Sequence, residues 1–151
     1  AAMRTVLFLG TGNYFRSRFS EFWFNHQIAL HGNGDDLHAG SAGLKVTSGN
    51  GNIGAMAIEA QIALQQRGVA VDPTQLAMPR QVSRDDVEQA DVVVAVDAEA
   101  HRPMVRELFP DLEAKIRFWS VKDLGEDEGT DPISLLQHQV DQLINALTSS
   151  H

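Results

Sequence analysis

Apolar and polar positions fall into blocks along this chain, and the period changes from block to block. Val6-Leu7-Phe8-Leu9 is a continuous apolar run closed by Gly10, the pattern of a strand covered on both faces, which predicts a strand over Arg4 to Leu9. After a short loop, Phe19, Phe22, Trp23, Ile28 and Leu30 fall near helical spacing and predict a helix from Ser17 to Gly32. Glu21 is expected early in that helix, where its charge complements the positive end of the dipole. Leu37 to Gly43 predicts a short strand entering a second glycine-containing loop, and Ala55 to Arg67 a helix closed by Gly68. Ser83-Arg84-Asp85-Asp86 has the form of an N-cap followed by an acidic first turn. Asp91 to Asp97 places five small or branched apolar residues between two aspartates, as in a central parallel strand. Ala98 to Leu108 predicts a helix with Pro103 either in its first turn or marking a break. Lys115 to Trp119 predicts the last strand and Val121 to Gly129 an exposed acidic loop. A final helix starts near Thr130-Asp131-Pro132, with Leu135, Leu136, Val140, Leu143, Ile144 and Leu147 along one face.

Four strands alternating with helices predict an α/β fold: a three-layer sandwich with a central four-stranded, mainly parallel sheet flanked by helices. In such folds the loops beyond the C-terminal strand ends build the site. The candidates are therefore the Gly10 to Ser17 loop after the first strand, the Ser41 loop, Asp97 and the acidic loop containing Asp123. The chain has 151 residues, which fits one domain, expected over 3–149, with Ala1-Ala2 ahead of Met3 read as an added remnant.

Charge and composition then narrow the function. A net charge of -8 disfavours a nonspecific nucleic-acid binder, so any anion site must be local. No run approaches a membrane-spanning length and the N-terminus lacks the order of a secretory signal, so no membrane partner and a cytoplasmic location are expected. The chain contains no cysteine, which excludes disulfides, thiolate metal sites and a cysteine nucleophile. Six histidines show no metal-ligand spacing, and neither a metal nor a cofactor is expected. Gly49-Asn50-Gly51-Asn52-Ile53-Gly54 formally matches a dinucleotide-binding pattern, but no buried strand precedes it and it carries no weight.

The chemistry concentrates in Gly10-Thr11-Gly12-Asn13-Tyr14-Phe15-Arg16-Ser17. A strand, a glycine loop and a helix opening on an arginine suit an anion, because orphan N–H groups and a guanidinium converge there. Tyr14 and Phe15 either wall a slot for a flat phosphoester group or pack against the sheet. Asn13 and Ser41 either bond across the two loops or satisfy their own turns, and Ser17 reads as an early helix residue capping backbone donors.

These residues resemble the phosphate loop of the low-molecular-weight protein tyrosine phosphatases: a cysteine, five variable residues, an arginine, then serine or threonine. Gly12, Asn13, Arg16 and Ser17 match, while the cysteine position falls on Gly10. Ser41-Ala42-Gly43, Pro79-Arg80-Gln81 and the Ala90 to Asp97 strand are similar to further family elements, so the resemblance spans nearly the whole chain. It implies a thiolate nucleophile at position 10, with Thr11 to Arg16 around the phosphate and Asn13 and Ser41 supporting the loop. It further implies Ser17 favouring the thiolate and Asp123, counted from Trp119, as general acid. Asp131-Pro132 matches the family's acid dipeptide but lies close to the final helix, and the family's loop-bracing histidine would fall near Ala77. The implied ligand is phosphate, phosphotyrosine or another aryl phosphate monoester, with a phosphoprotein as the larger partner. With glycine at position 10 the thiolate mechanism cannot run. Three readings follow. The first is a phosphatase fold whose nucleophile was removed. The second is a natural pseudophosphatase that binds phosphate or a phosphoprotein, and the third a nucleotide-binding protein using Gly10-Thr11-Gly12 as a dinucleotide turn. Phe15 stands where that turn needs a third small residue.

Overall fold

The structure is a computed structural model describing residues 3–32, 36–47, 51–123 and 131–149. Its elements run β1 (Arg4–Gly10), α1 (Arg16–Leu30), β2 (Leu37–Gly43), α2 (Ile58–Gln66), α3 (Arg84–Gln89), β3 (Val92–Ala95), α4 (Ala98–Leu108), β4 (Ile116–Phe118) and α5 (Pro132–Thr148). Short 3₁₀ turns at Pro73–Gln75 and Pro110–Lys115 complete the order.

The four strands form one parallel sheet in the order β2-β1-β3-β4. Strand β1 pairs with β2 from Arg4↔Leu37 to Gly10↔Gly43 and with β3 from Val6↔Val92 to Leu9↔Ala95. The chain leaves β1 toward one neighbour and reaches the other later, so the crevice beyond the carboxyl end of β1 is the topological switch point of the sheet. The Gly10 to Ser17 loop lies in that crevice.

Side-chain alternation on the strands divides the interior into two cores. Val6, Phe8, Val94 and Val96 face one layer, where they meet Phe19, Trp23 and Phe24 of α1 and Leu136 and Val140 of α5. Leu7, Leu9, Val93 and Ala95 face the other, against Val87 of α3 and Val105 of α4. Because β1 and β3 are covered on both faces, their apolar runs are continuous. The three-layer α/β sandwich expected from the sequence is the observed fold.

Several local expectations need correction. Glu21 is the sixth residue of α1, and no acidic residue occupies its first turn; Glu21 instead accepts a hydrogen bond from Ser41 Oγ. Helix α2 starts at Ile58, since Ala57, with ψ 138°, is extended and stands as its N-cap. Pro103 lies inside α4 without ending it. The N–H it lacks would have bonded the carbonyl of Glu99, an exposed residue. Val121, assigned to an exposed loop, is fully buried, and residues 124–130 of that loop lie outside the described residues. Ser83 is the N-cap of α3 with Asp85 and Asp86 in the first turn, as expected, and Asp86 completes a capping box with it. No helix of the described residues is long and apolar enough to cross a membrane.

Candidate functional site

Strand β1 ends at Gly10 and helix α1 begins at Arg16, so the five residues between them must turn the chain from strand direction into helix direction. That turn needs one left-handed residue, and Asn13 supplies it with φ 53°, the only non-glycine residue with positive φ among those described. Its side chain is fully used in holding that conformation. Nδ2 donates to Ser41 Oγ at 2.9 Å and to Ser17 Oγ at 3.2 Å, while Oδ1 accepts from the Arg80 backbone N–H at 3.1 Å. Position 77 is alanine, and the Arg80 amide is a brace on the Asn13 side chain instead. Ser17 is the second residue of α1 and its hydroxyl meets Asn13 rather than capping the helix, whose N-cap residue Phe15 makes no side-chain cap bond.

The second loop closes on the first through backbone. Leu44 N–H donates to Gly10 O at 2.8 Å and Lys45 N–H to Thr11 O at 2.9 Å. Glycine at position 43 allows this approach, because a Cβ there would sit 2.7 Å from Thr11 O and 2.5 Å from Val46 Cγ2.

Arg16 is 7% exposed, and its guanidinium is oriented by two buried acceptors. Nη1 donates to Asp97 Oδ2 at 3.0 Å and to Val121 O at 2.7 Å. Asp97, two residues beyond β3, caps α4 by accepting from Ala100 N–H, and also faces Lys122 Nζ at 3.4 Å. Burial pushes the Asp97 carboxyl pKa up, but the hydrogen bonds from Arg16 and Ala100 and the charges of Arg16 and Lys122 outweigh it. The carboxyl is held below the ordinary aspartate value. Asp123 Oδ2 lies 3.9 Å from Arg16 Nη2 at the partly exposed side of the cleft. Asp131 is elsewhere: it caps α5 by accepting from Ile133 N–H and Ser134 Oγ, a structural use that accounts for its place next to Pro132.

Together the loop residues Gly10 to Ser17 line an open cleft of about 400 Å³ whose rim includes Lys45, Asn52, Glu59 and Asp123. Phe15 is buried in the core as well as bordering the cleft. The Tyr14 hydroxyl donates to Ile53 O at 2.7 Å and accepts from Ile53 N–H at 3.2 Å, which ties the 51–57 segment to the loop. The two aromatics that were expected either to wall a slot or to pack therefore divide the roles: Phe15 is chiefly core, Tyr14 borders the opening.

A fully buried histidine that the sequence pattern did not single out lies beneath the loop. His101 Nε2 is 2.9 Å from Thr11 Oγ1, and its Nδ1 accepts the backbone N–H of Asp97 at 3.2 Å. A backbone N–H can only donate, so Nδ1 is the acceptor and Nε2 carries the proton. Burial first, and the charge of Arg16 second, lower the His101 pKa to about 4, against opposing pulls from Asp97 and Asp123. A neutral imidazole with Nε2 protonated cannot take the Thr11 proton, so the pair is not a nucleophile and base dyad. The signal available in the sequence was the Asp97-to-His101 spacing of four, which returns the ring over the helix cap.

Position 10 contains no side chain, and its φ lies outside the left-handed range, so the backbone does not demand glycine there. An added Cβ would stand 3.1 Å from Ser17 Oγ and 3.3 Å from Ser17 Cβ. Among the described residues no group of three or more His, Asp or Glu side chains is placed to hold a metal ion.

A parallel α/β sheet with a loop at its switch point, an arginine at the following helix start and a second loop clamped beneath defines a phosphate-cradle protein of the phosphatase type. The comparisons agree. Residues 5–147 match the family profile described as low molecular weight phosphotyrosine protein phosphatase, and the chain belongs to that family. No curated protein sequence matches it. Among solved structures, YfkJ from Bacillus subtilis superposes with a TM-score of 0.81 at 24% identity, over 99% of this chain and 97% of that one. The low molecular weight protein tyrosine phosphatase from T. tengcongensis gives 0.73 at 25% identity, over 95% and 99%. A protein tyrosine phosphatase from Entamoeba histolytica gives 0.77 at 21% identity, over 98% and 97%. At 24% and 21% identity the first and third establish the fold alone. The chain is thus a low-molecular-weight tyrosine phosphatase-like protein without the cysteine on which the phosphocysteine route depends.

Proposed function

We propose that the protein binds phosphate monoesters of the phosphotyrosine type in the Gly10 to Ser17 cradle and does not hydrolyse them through a phosphoenzyme. The observation that carries this reading is the fixed Arg16 fork. Asp97 and Val121 O occupy Nη1, so an anion in the cleft would meet the Nε and Nη2 edge while the loop N–H groups face its other oxygens. Thr11, Gly12, Asn13, Tyr14 and Phe15 contribute backbone to that cradle, and Asn13 with Ser41 keeps its shape. Asp123 is the group at the departing-oxygen side. A phosphoprotein as the larger partner and a cytoplasmic location are the finer parts of the same reading.

The ordinary backbone at Gly10 favours a second reading beside it, a parent enzyme with cysteine at this position. Both predict the same cradle and differ only in what stands at position 10.

Calorimetry with inorganic phosphate, sulfate and phosphotyrosine tests the cradle. Saturable binding is expected, falling at least about tenfold in Arg16→Ala, since a hydrogen bond between charged groups is lost. Equal binding in Arg16→Ala would remove the basis of the reading.

A further inference from the structure

The buried His101 lies outside the role just described, and its environment fixes a hydrogen-bond direction in the cleft. Nδ1 is occupied by the Asp97 N–H, so Nε2–H donates to Thr11 Oγ1. The threonine hydroxyl therefore receives one hydrogen bond from the protein. Its own hydrogen has no acceptor among the described residues, and Thr11 borders the cleft between Gly10 and Gly12. A hydroxyl that accepts from below and retains its donor is suited to an oxyanion above it.

We propose that the Thr11 hydroxyl is a side-chain donor to a phosphate oxygen, with His101 as the positioning residue that forces it to donate. This rests on the cradle reading above. It adds to the backbone donors a contact that is specific to this pair of side chains.

The geometry gives His101 no alternative tautomer, because protonating Nδ1 would set two donors, Nδ1–H and the Asp97 N–H, against each other at 3.2 Å. Arg16, Asp97 and Asp123 are the charged groups that act on the ring, and complete burial of the ring disfavours the imidazolium. The hydroxyl is thereby held as a donor toward an anion, and a hydrogen bond it gives to phosphate strengthens the one it accepts. A water molecule or a neutral ligand exploits the same donor less, since the partner's charge is what raises the bond above the neutral kind.

The test uses the whole chain, titrated with inorganic phosphate and phenyl phosphate at neutral pH. Phosphate affinity is expected to fall about tenfold or more in Thr11→Val and to stay within about threefold in Thr11→Ser. Imidazole ¹H–¹⁵N correlation spectra of the unaltered protein provide a measurement that does not depend on a variant folding. The free protein is expected to show the Nε2–H tautomer at His101, and that proton is expected to shift on phosphate saturation. If the unaltered protein binds phosphate while Thr11→Val binds it equally well, or if the His101 resonances stay unmoved at saturation, the Thr11 contact is wrong and the cradle reading stands. If the unaltered protein binds neither ligand, both fall together.

Discussion

Arg16 and Asp97 form an ion pair at 3.0 Å in which both partners are buried, Asp97 to 1% exposure and Arg16 to 7%. One carboxylate thereby joins the start of α1 to the start of α4, since Asp97 Oδ1 caps α4 while Oδ2 holds the arginine. Removing either partner leaves the other charged and out of water. Asp97→Ala is expected to destabilise the fold by about 3–5 kcal/mol, the range for breaking a buried pair. Urea unfolding checks it, and a loss within about 1 kcal/mol would show that water replaces the carboxylate. The sign with pH follows from the direction of the shift. Asp97 titrates below its ordinary value in the folded chain, so its contribution is present above the unfolded pKa and lost as pH falls through the folded one.

His101 gives a second window at higher pH. Its folded pKa of about 4 lies below the ordinary value of 6.5, so between these values the unfolded chain binds more protons than the folded one. Stability therefore declines as pH falls from about 6.5 to about 4, by roughly 3 kcal/mol for this group, and levels off below. Glu21, whose pKa burial raises, acts in the opposite direction over part of that range, so the informative quantity is a difference. Unfolding free energies of the unaltered chain and His101→Gln, compared across pH, should converge as the medium becomes acid. A constant gap would mean that the His101 pKa is the same in the folded and the unfolded chain.

Much of the fold was written in the strand runs. Val6 to Leu9 and Val92 to Val96 are continuous because both sheet faces are covered, and that burial is visible as composition. The loop from Gly10 to Ser17 was legible for the same reason: glycine, asparagine and arginine follow a buried strand in an order that few other turns require. What the pattern could not give was direction and partner. Glu21 was assigned to the helix dipole because spacing alone does not say that Ser41, on a strand 20 residues away, lies beside it. His101 passed unnoticed because, although its spacing of four from Asp97 is visible, its significance comes from a hydroxyl 90 residues away, which has no sequence signature. The count from Trp119 favoured Asp123 over Asp131, and the structure puts the first at the cleft and the second on a helix cap.

The contact between the two loops is steric as well as hydrogen-bonded. In Gly43→Ala the added methyl would meet Thr11 O at 2.7 Å and Asn13 N at 3.0 Å, both backbone atoms that cannot move aside alone. The substitution is expected to cost about 1–3 kcal/mol, as overpacking commonly does, and to weaken phosphate binding because the cradle must open to accommodate it. Thermal unfolding together with calorimetry measures both effects. Lowered stability with unaltered affinity would mean that the strain is relieved toward Val46 instead.

Asp123 brings a carboxylate within 3.9 Å of Arg16 Nη2, on the edge of the fork assigned to an incoming anion. A dianionic ligand and this carboxylate repel each other in the same cleft. Asp123→Asn is therefore expected to tighten inorganic phosphate binding, by several-fold rather than by orders of magnitude, since the carboxylate is half exposed and solvent screens it. Calorimetry at neutral pH and low salt measures the gain, which should shrink as salt is added. Weaker binding in Asp123→Asn would identify the carboxylate as a support for Arg16 rather than a competitor for it.

Position 10 is where the family's chemistry stops in this chain, and the local geometry says what restoring it would take. The backbone φ is ordinary, and a new Cβ would press on Ser17 Oγ and Cβ at 3.1 and 3.3 Å, a conflict relieved by a few tenths of an ångström of side-chain movement. A cysteine there would sit beside the Ser17 hydroxyl, in the cleft that Arg16 also lines, and both groups favour a thiolate. Gly10→Cys is therefore expected to fold and to acquire turnover of an aryl phosphate at mildly acidic pH. A phosphoenzyme should be trapped on acid quench. Adding Asp123→Asn to that variant should lower turnover by roughly 10²- to 10⁴-fold if Asp123 protonates the leaving oxygen, and the loss should be smaller for substrates with better leaving groups. A folded Gly10→Cys chain that binds phosphate yet forms no phosphoenzyme would show that the cradle has diverged to recognition alone, with the thiol held out of line with the bound phosphorus.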